Sequence, residues 1–160
     1  MAVLLPSGPA PIPAKWSRLN ELHPDVRNRF HGLFARIEKE TGAKIIITST
    51  HRPNDSGYHY FGLAVDFNIV VKGVQYFMDT PKAQWEATRV PAIIRALGFR
   101  WGGDFTTPYL HNGVQKPGYD PVHADLALRY PMGPLRTRAR ALAANKPLST
   151  IDGRNVPLRA

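Results

Sequence analysis

The stretch that decides the fold is LAVDFNI, residues 63–69. Its apolar side chains alternate with small or polar ones, which is the pattern of a β-strand with one buried face. A second alternating stretch, VHADLAL at residues 122–128, places His123 and Asp125 on its polar face. We therefore expect two strands of one sheet that bury their apolar sides and present Asp66 and His123 on the opposite side.

Further segments complete the expected fold, which is α+β: a small, mainly antiparallel sheet with helices packed on one face and the candidate site on the other. KIIITS, residues 44–49, is apolar on both faces and indicates a central strand. Apolar residues at helical spacing predict a helix over residues 24–41, which Gly42 ends. Residues 106–119 are expected to form a long polar loop. The shorter predicted elements are helices over residues 81–87 and 90–97 and strands over residues 74–77 and 99–101.

Length and composition narrow the possible functions. The chain has 160 residues, enough for one domain with its own core, and it contains no cysteine. A metal site must therefore use His, Asp or Glu. The formal net charge of +9 favours anionic partners, such as nucleic acid, an anionic membrane or polymers of a bacterial wall. Because the sequence has no recognisable nucleic-acid-binding motif, we do not expect a nucleic-acid partner.

Composition divides the chain into three predicted parts. Residues 1–15 form a Pro-rich extended arm, and residues 16–130 form the domain with the strands described above. Residues 131–160 form a basic tail with six Lys or Arg against one acid, Asp152. The arm lacks the basic start and the long apolar core of a secretory signal, and no stretch is apolar enough to span a membrane. We therefore expect neither a signal peptide nor a membrane span.

Three residues that can bind a metal come together in this arrangement. Asp66 and His123 lie on the polar faces of two strands, and His59 precedes the first of them. Two His and one carboxylate, with a fourth position open, are a typical donor set of catalytic zinc. Asp120 would supply a base, and Arg52 a donor for a developing oxyanion. Spacing alone leaves a purely structural role for these residues open.

Three motifs occur in order along the chain. Residues 59–66, HYFGLAVD, match H-x-x-G-x-A-x-D, and residues 120–123, DPVH, match the D/E-x-x-H that follows it. Between them lie residues 97–104, LGFRWGGD. In this combination the chain from Ile45 to Leu126 resembles the M15 family of zinc peptidases. That family includes D-alanyl-D-alanine carboxypeptidases and the L-alanyl-D-glutamate endopeptidases of phage endolysins, and the motifs are most similar to the endolysin branch.

The resemblance implies that His59, Asp66 and His123 hold Zn²⁺, that Asp120 is the general base, and that Arg52 holds the substrate carbonyl or the oxyanion. It also implies a phage-encoded hydrolase of bacterial peptidoglycan, located in the host cytoplasm or in the virion. The L-alanyl-D-glutamate endopeptidase type is favoured. The basic tail would then bind wall polymer, dock on virion proteins, or be solvated.

Some positions depart from the family pattern. Gly57 stands where the family usually has Ser, and the segment 52–59 is short, which bears on substrate choice. Ala124 and Asp125 follow His123 where relatives often have an aromatic residue, which bears on the surroundings of that ligand. Gly62 is implied to let the backbone pass close beneath the site.

Two other functions stay open. The first is a D-alanyl-D-alanine carboxypeptidase; Gly57 and the short segment 52–59 argue mildly against tight capture of a terminal carboxylate. The second is a catalytically silent structural or binding module of a virion. The complete set of ligands and base argues against that second function.

Overall fold

The structure is a computed structural model that describes residues 11–159. Most of the predicted Pro-rich arm lies outside the described residues, and a 3-10 helix, Ala14–Glu21, begins at its end. Among the described residues, no helix has the length and apolar character needed to cross a membrane. The α-helices are α1 (Arg27–Thr41), α2 (Lys82–Ala87), α3 (Val90–Ala96) and α4 (Met132–Ala143). The strands are β1 (Lys44–Ser49), β2 (Ala64–Val71), β3 (Val74–Tyr76), β4 (Arg100–Trp101), β5 (Tyr109–His111), β6 (Val114–Lys116) and β7 (His123–Asp125).

A five-stranded antiparallel sheet positions the candidate site. Its order is β1-β2-β7-β4, and β3 pairs with the far end of β2. The two strands predicted to carry the candidate ligands are direct neighbours, and Asp66 on β2 lies opposite His123 on β7. Opposed residues on one face of an antiparallel pair have their side chains in contact range. The pairing therefore brings Asp66 and His123 together from positions 57 residues apart.

The core lies between the sheet and the helices, which confirms the α+β prediction. Phe30 and Phe34 of α1 are fully buried, as the helical spacing predicted. Phe34 packs against Phe67 of β2 with ring centroids 5.6 Å apart. Trp85 of α2 contacts the same Phe67 ring at 6.2 Å. Alternate residues of β2 thus face the helices, and Asp66 is left on the other side of the sheet.

The prediction of a central strand at residues 44–49 is wrong. β1 is an edge strand that pairs only with β2 among the described strands. Its outer face is open to solvent, and the side chain of Ile46 is 46% exposed. Its β-branched residues favour an extended strand at the edge as well as in the centre, so composition did not distinguish the two positions.

The predicted loop at residues 106–119 contains a β-hairpin formed by β5 and β6. The two strands join through Asn112 and Gly113, which have φ angles of 51° and 76°. An Asn-Gly pair with positive φ at both residues is the preferred two-residue turn between antiparallel strands. The hairpin was therefore detectable from this dipeptide, although the polar composition of the segment concealed it.

Residues 131–159, which belong to the predicted basic tail, pack on the same core as the rest of the described chain. Leu135 of α4 is 1% exposed, and Val156 is fully buried. The carbonyl of Val156 lies 2.9 Å from Nε2 of His23, which joins this segment to the region before α1. The interpretation of a solvated tail is therefore wrong for these residues. Arg136 and Arg140 lie on the exposed face of α4, an amphipathic helix whose inner face is apolar.

Candidate active site

Three metal-capable side chains meet on the face of the sheet away from the helices. One ligand atom each from His59, Asp66 and His123 lies within 4.8 Å of the others. Oδ1 of Asp66 is 3.1 Å from Nε2 of His59 and 3.1 Å from Nδ1 of His123. Both histidines are buried, and Asp66 is nearly so. The structure thus brings together the three residues predicted as metal ligands.

The hydrogen bonds behind the two histidines determine which nitrogen faces the centre. The backbone carbonyl of Thr50 lies 2.6 Å from Nδ1 of His59. A carbonyl only accepts, so Nδ1 carries the proton and Nε2 of the neutral ring keeps a lone pair. In the same way, the carboxylate of Asp125 lies 2.7 Å from Nε2 of His123 and leaves Nδ1 facing Asp66. Three acceptors therefore converge, and only a cation, either a proton or a metal ion, satisfies them together.

This donor set fits zinc. Zinc takes His nitrogen and carboxylate oxygen at about 2.0–2.2 Å, so neighbouring ligand atoms of a tetrahedral site lie about 3.3 Å apart. The separations from Asp66 to the two histidine nitrogens are close to that value. Three protein ligands leave a fourth position for water or substrate, which distinguishes a catalytic from a structural zinc site. The second nitrogen of each histidine is already held by a neighbouring group, as is usual for metal-bound imidazole.

Asp125 and Arg100 support His123, and the sequence did not indicate this role. Asp125 is fully buried, and Arg100 donates to both of its oxygens at 2.6–3.2 Å. Burial alone would raise the pKa of Asp125, but the hydrogen bonds from His123 and Arg100 hold it below its ordinary value. The available signal was the position of Asp125 on the same strand face as His123, two residues away.

The titration of His123 reflects these contacts. Burial alone would lower the pKa of the imidazole, but hydrogen bonds with Asp125 and Asp66 raise it to about 9. Burial likewise opposes ionisation of Asp66, yet the neighbouring imidazole rings of His123 and His59 hold its pKa well below the usual range. In the metal-free protein a proton on His123 therefore takes the place that a metal ion would occupy electrostatically.

Asp120 lies beside the three candidate ligands. Its Oδ2 is 4.0 Å from Nδ1 of His123, and burial raises the pKa of its carboxyl above the ordinary value. The backbone N–H of Asp120 donates to the carbonyl of Gly102 at 2.9 Å. A Cβ at Gly102 would stand 2.0 Å from the backbone oxygen of Asp120. The glycine is therefore required for the close approach that places Asp120 next to the centre.

Arg52 contacts the centre through Asp66 in this structure. Its Nη2 lies 2.5 Å from Oδ2 of Asp66, the carboxylate oxygen that does not face the histidines. Its Nη1 is 3.8 Å from Asp55, and the side chain is 47% exposed. The guanidinium group thus lies at the edge of the centre with one face toward solvent. Its predicted contact with a substrate carbonyl stays a prediction.

The close backbone approach at Gly62 occurs away from the centre. Gly62 has a φ of 70°, and a Cβ there would meet the backbone nitrogen of His23 at 2.4 Å. That nitrogen donates to the carbonyl of Gly62 at 3.1 Å. The implied position beneath the candidate metal ligands is therefore wrong, and Gly62 instead docks the loop of His59 on the segment before α1.

An open cleft of about 880 Å³ surrounds the centre. His59, His123 and Asp120 line its floor, while Tyr109 and Leu110 of the β5–β6 hairpin line one wall. Tyr109 and Leu110 are 47% and 74% exposed, so the hairpin presents apolar groups beside the centre. A cleft with a polar centre and an apolar wall suits a peptide chain.

Comparison with known families agrees with this geometry. Residues 50–112 match the family Peptidase_M15_4, described as D-alanyl-D-alanine carboxypeptidase. This segment of the chain is similar to the M15 peptidases. The matched segment includes Arg52, His59 and Asp66 and ends before Asp120 and His123, which the pairing of β7 with β2 brings to the same place. No curated protein and no solved structure gave a match in the corresponding comparisons.

Proposed function

We propose that this protein is an M15-type, zinc-dependent and endolysin-like enzyme that cleaves the stem peptides of bacterial peptidoglycan, with the L-alanyl-D-glutamate endopeptidase type favoured. The family match supports a peptidase acting on peptidoglycan. The observation that carries the zinc dependence is the convergence of three acceptors, on His59, Asp66 and His123, at one point. Burying three such acceptors together costs free energy unless a cation binds to them.

The proposed mechanism assigns separate tasks to the neighbouring side chains. When bound, zinc would lower the pKa of a water molecule and polarise the scissile carbonyl. Asp120 accepts the proton of the attacking water and then passes it to the leaving amine, a task suited to a carboxyl whose pKa burial has raised. Arg52 reaches from Asp66 to the substrate carbonyl and stabilises the negative charge that develops there. Asp125 keeps His123 oriented throughout.

The shape of the cleft supports cleavage of an internal bond. The cleft is open, and the loop at residues 53–57 borders it as a short turn. Substrate residues on both sides of the cut can lie in such a cleft, whereas removal of a terminal residue benefits from a closed end that captures the free carboxylate. D-alanyl-D-alanine carboxypeptidase activity, which the family description names, is the second candidate.

Mass spectrometry of purified peptidoglycan after incubation with the protein tests the proposal. New stem-peptide fragments should appear, disappear on addition of a chelator, and return when zinc is restored. Fragments with free L-alanine and D-glutamate ends would identify the endopeptidase, and loss of terminal D-alanine alone would identify the carboxypeptidase. A folded, zinc-loaded protein that releases no fragment would contradict the proposal and favour a catalytically silent virion module.

A further inference from the structure

A second cavity, of about 370 Å³, lies beside the active-site cleft. It is bordered by α4, which contributes Arg136 and Arg140, and by the loop at residues 53–56. We call this cavity the arginine pocket. Asp55 and Ser56 line both the arginine pocket and the cleft, so the two cavities meet at this loop.

The arginine pocket carries positive charge without a matching anion. The side chain of Arg140 is exposed and forms no ion pair or hydrogen bond with another residue between 11 and 159. Arg136 donates to the backbone carbonyl of Ser56 at 3.1 Å, a neutral acceptor. Asp55, the carboxylate in the lining, accepts the backbone N–H groups of Ser56 and Gly57 and faces Arg52 across 3.8 Å. Neither guanidinium group is therefore paired with a carboxylate among residues 11–159, and their remaining N–H groups can bind an anion from outside.

One side of the arginine pocket is formed by two aromatic residues that are fixed by packing and by a hydrogen bond. Tyr60 and Phe61 are 4% and 1% exposed, and their rings pack edge to face 4.9 Å apart. The hydroxyl of Tyr60 donates to the carbonyl of Leu148 on the opposite wall at 2.6 Å. A ligand that fits therefore combines an aliphatic portion with a negatively charged group, as a short peptide with a free carboxylate does. Arginine pairs with carboxylates through two parallel hydrogen bonds, which makes such contacts strong and directional.

We propose that the arginine pocket binds a free carboxylate of the same stem peptide whose bond is cut in the adjoining cleft. This inference rests on the proposed function, because it takes the stem peptide as the substrate. Arg136 and Arg140 would anchor the peptide beyond the loop at residues 53–56, and the scissile bond would then lie over His59 and His123. The basic helix α4 would thus contribute to substrate specificity.

Equilibrium binding tests the proposal independently of turnover. The ligands are a synthetic stem tetrapeptide with free carboxylates and its fully amidated counterpart, titrated into zinc-loaded Asp120→Ala protein. The free peptide should bind about tenfold more tightly than the amide, as one charge-assisted contact predicts. The pair Arg136→Ala/Arg140→Ala should abolish this preference. The matched control is Arg29→Ala/Lys39→Ala, which removes the same charge from exposed positions on α1 and should keep the preference.

The outcomes distinguish carboxylate recognition by the arginine pocket from general charge attraction and from binding of a wall polymer. An unchanged preference in the α4 variant would overturn it, and so would an equal loss in the α1 control, which would indicate only the general attraction of a basic protein. If the α4 variant loses binding to a phosphodiester wall polymer but still binds the peptide, the proposal is overturned in favour of polymer binding. If the unmutated protein cleaves neither peptide, the proposed function fails, while the binding preference still shows whether the arginine pocket recognises carboxylates.

Discussion

The carboxylate of Asp125 lies 2.7 Å from Nε2 of His123, on the side of the imidazole ring away from Asp66. Asp125 is fully buried, and Arg100 of the neighbouring strand β4 holds both of its oxygens. Because Nε2 is kept as a donor, Nδ1 of His123 faces the candidate metal centre. The geometry of one proposed ligand therefore depends on an ion pair between two strands.

Replacing Asp125 by Asn should weaken zinc binding by about 10- to 100-fold, the range typical of partners that orient a metal-bound histidine. Competition with a chelating dye measures the affinity. Asp104→Asn is the matched control, because Asp104 also lines the cleft and pairs with an arginine, Arg95, but does not hold a candidate ligand. Equal zinc affinities in the two variants would show that Asp125 does not orient His123.

The Asp120→Ala variant should keep zinc and lose turnover. A general base contributes about 10²- to 10⁴-fold to the rate, so kcat on a stem peptide should fall by that factor. Zinc content, measured by atomic emission, should stay at one per chain because Asp120 is 4.0 Å from the nearest histidine nitrogen and is not among the three converging residues. Retained activity would remove Asp120 from the role of base.

Zinc affinity should rise with pH, because a metal ligand must be deprotonated. The pKa of His123 in the metal-free protein is about 9, above its ordinary value of 6.5. Below pH 9 zinc must displace this proton, so the apparent affinity should increase about tenfold per pH unit between pH 6.5 and 8.5. Chelator competition at several pH values measures the slope, and a flat profile would contradict it.

The raised pKa of His123 also predicts that the metal-free fold loses stability as the pH rises. A raised pKa means that the ion pairs of His123 stabilise the fold fully below pH 6.5, and that this stabilisation is lost as the pH rises toward 9. Thermal unfolding should therefore show a metal-free Tm that falls over this range and a zinc-induced increase in Tm that grows. A zinc-induced increase in Tm that becomes smaller as the pH rises would contradict the raised pKa of His123.

A methyl group at Gly102 should disturb the site. The Cβ of Gly102→Ala would stand 2.0 Å from the backbone oxygen of Asp120 and 2.9 Å from Cβ of His123, so the backbone must move. We expect a loss of about 1–3 kcal/mol in the free energy of unfolding, as for other overpacked sites, together with a loss of activity. Gly32→Ala is the control, because nothing lies within 4 Å of its Cβ in α1, and it should stabilise the helix by about 0.5–1 kcal/mol. Denaturant unfolding compares the two variants.

Helix α4 should contribute to global stability. Leu135→Ala removes a side chain that is 1% exposed and should cost about 2–5 kcal/mol of unfolding free energy. Leu142→Ala in the same helix removes one that is 49% exposed and should change it by less than about 0.5 kcal/mol. If both variants unfold at the same denaturant concentration as the unmutated protein, residues 131–160 do not fold with the rest of the chain.

The sequence predicted much of the sheet and the three converging residues. Alternation in the segments around Asp66 and His123 determined which face each residue occupies, because the two sides of a strand are set by local geometry alone. The helical face with Phe30 and Phe34 was predicted for the same reason. Such features depend on periodicity within one segment, and a single sequence contains that information.

Features that depend on distant partners were not predictable in this way. The edge position of β1 depends on which strands pair, and its composition suits the edge and the centre equally. The role of Asp125 depends on Arg100, which is 25 residues earlier in the chain. The burial of Val156 depends on the region around His23 at the other end of the described chain. Each of these contacts is decided by tertiary packing rather than by local pattern.

The charged groups around the candidate centre also have a defined electrical balance. Three carboxylates lie beside two guanidinium groups: Asp66, Asp120, Asp125, Arg52 and Arg100. A protonated His123 adds one positive charge to this set in the metal-free protein, whereas a divalent cation in place of that proton would add two. The additional unit of positive charge would lie beside the cleft, where a neutral peptide group gains negative charge as it is hydrolysed. The positive charge would therefore stabilise the anionic stage of the reaction more than it stabilises the neutral substrate.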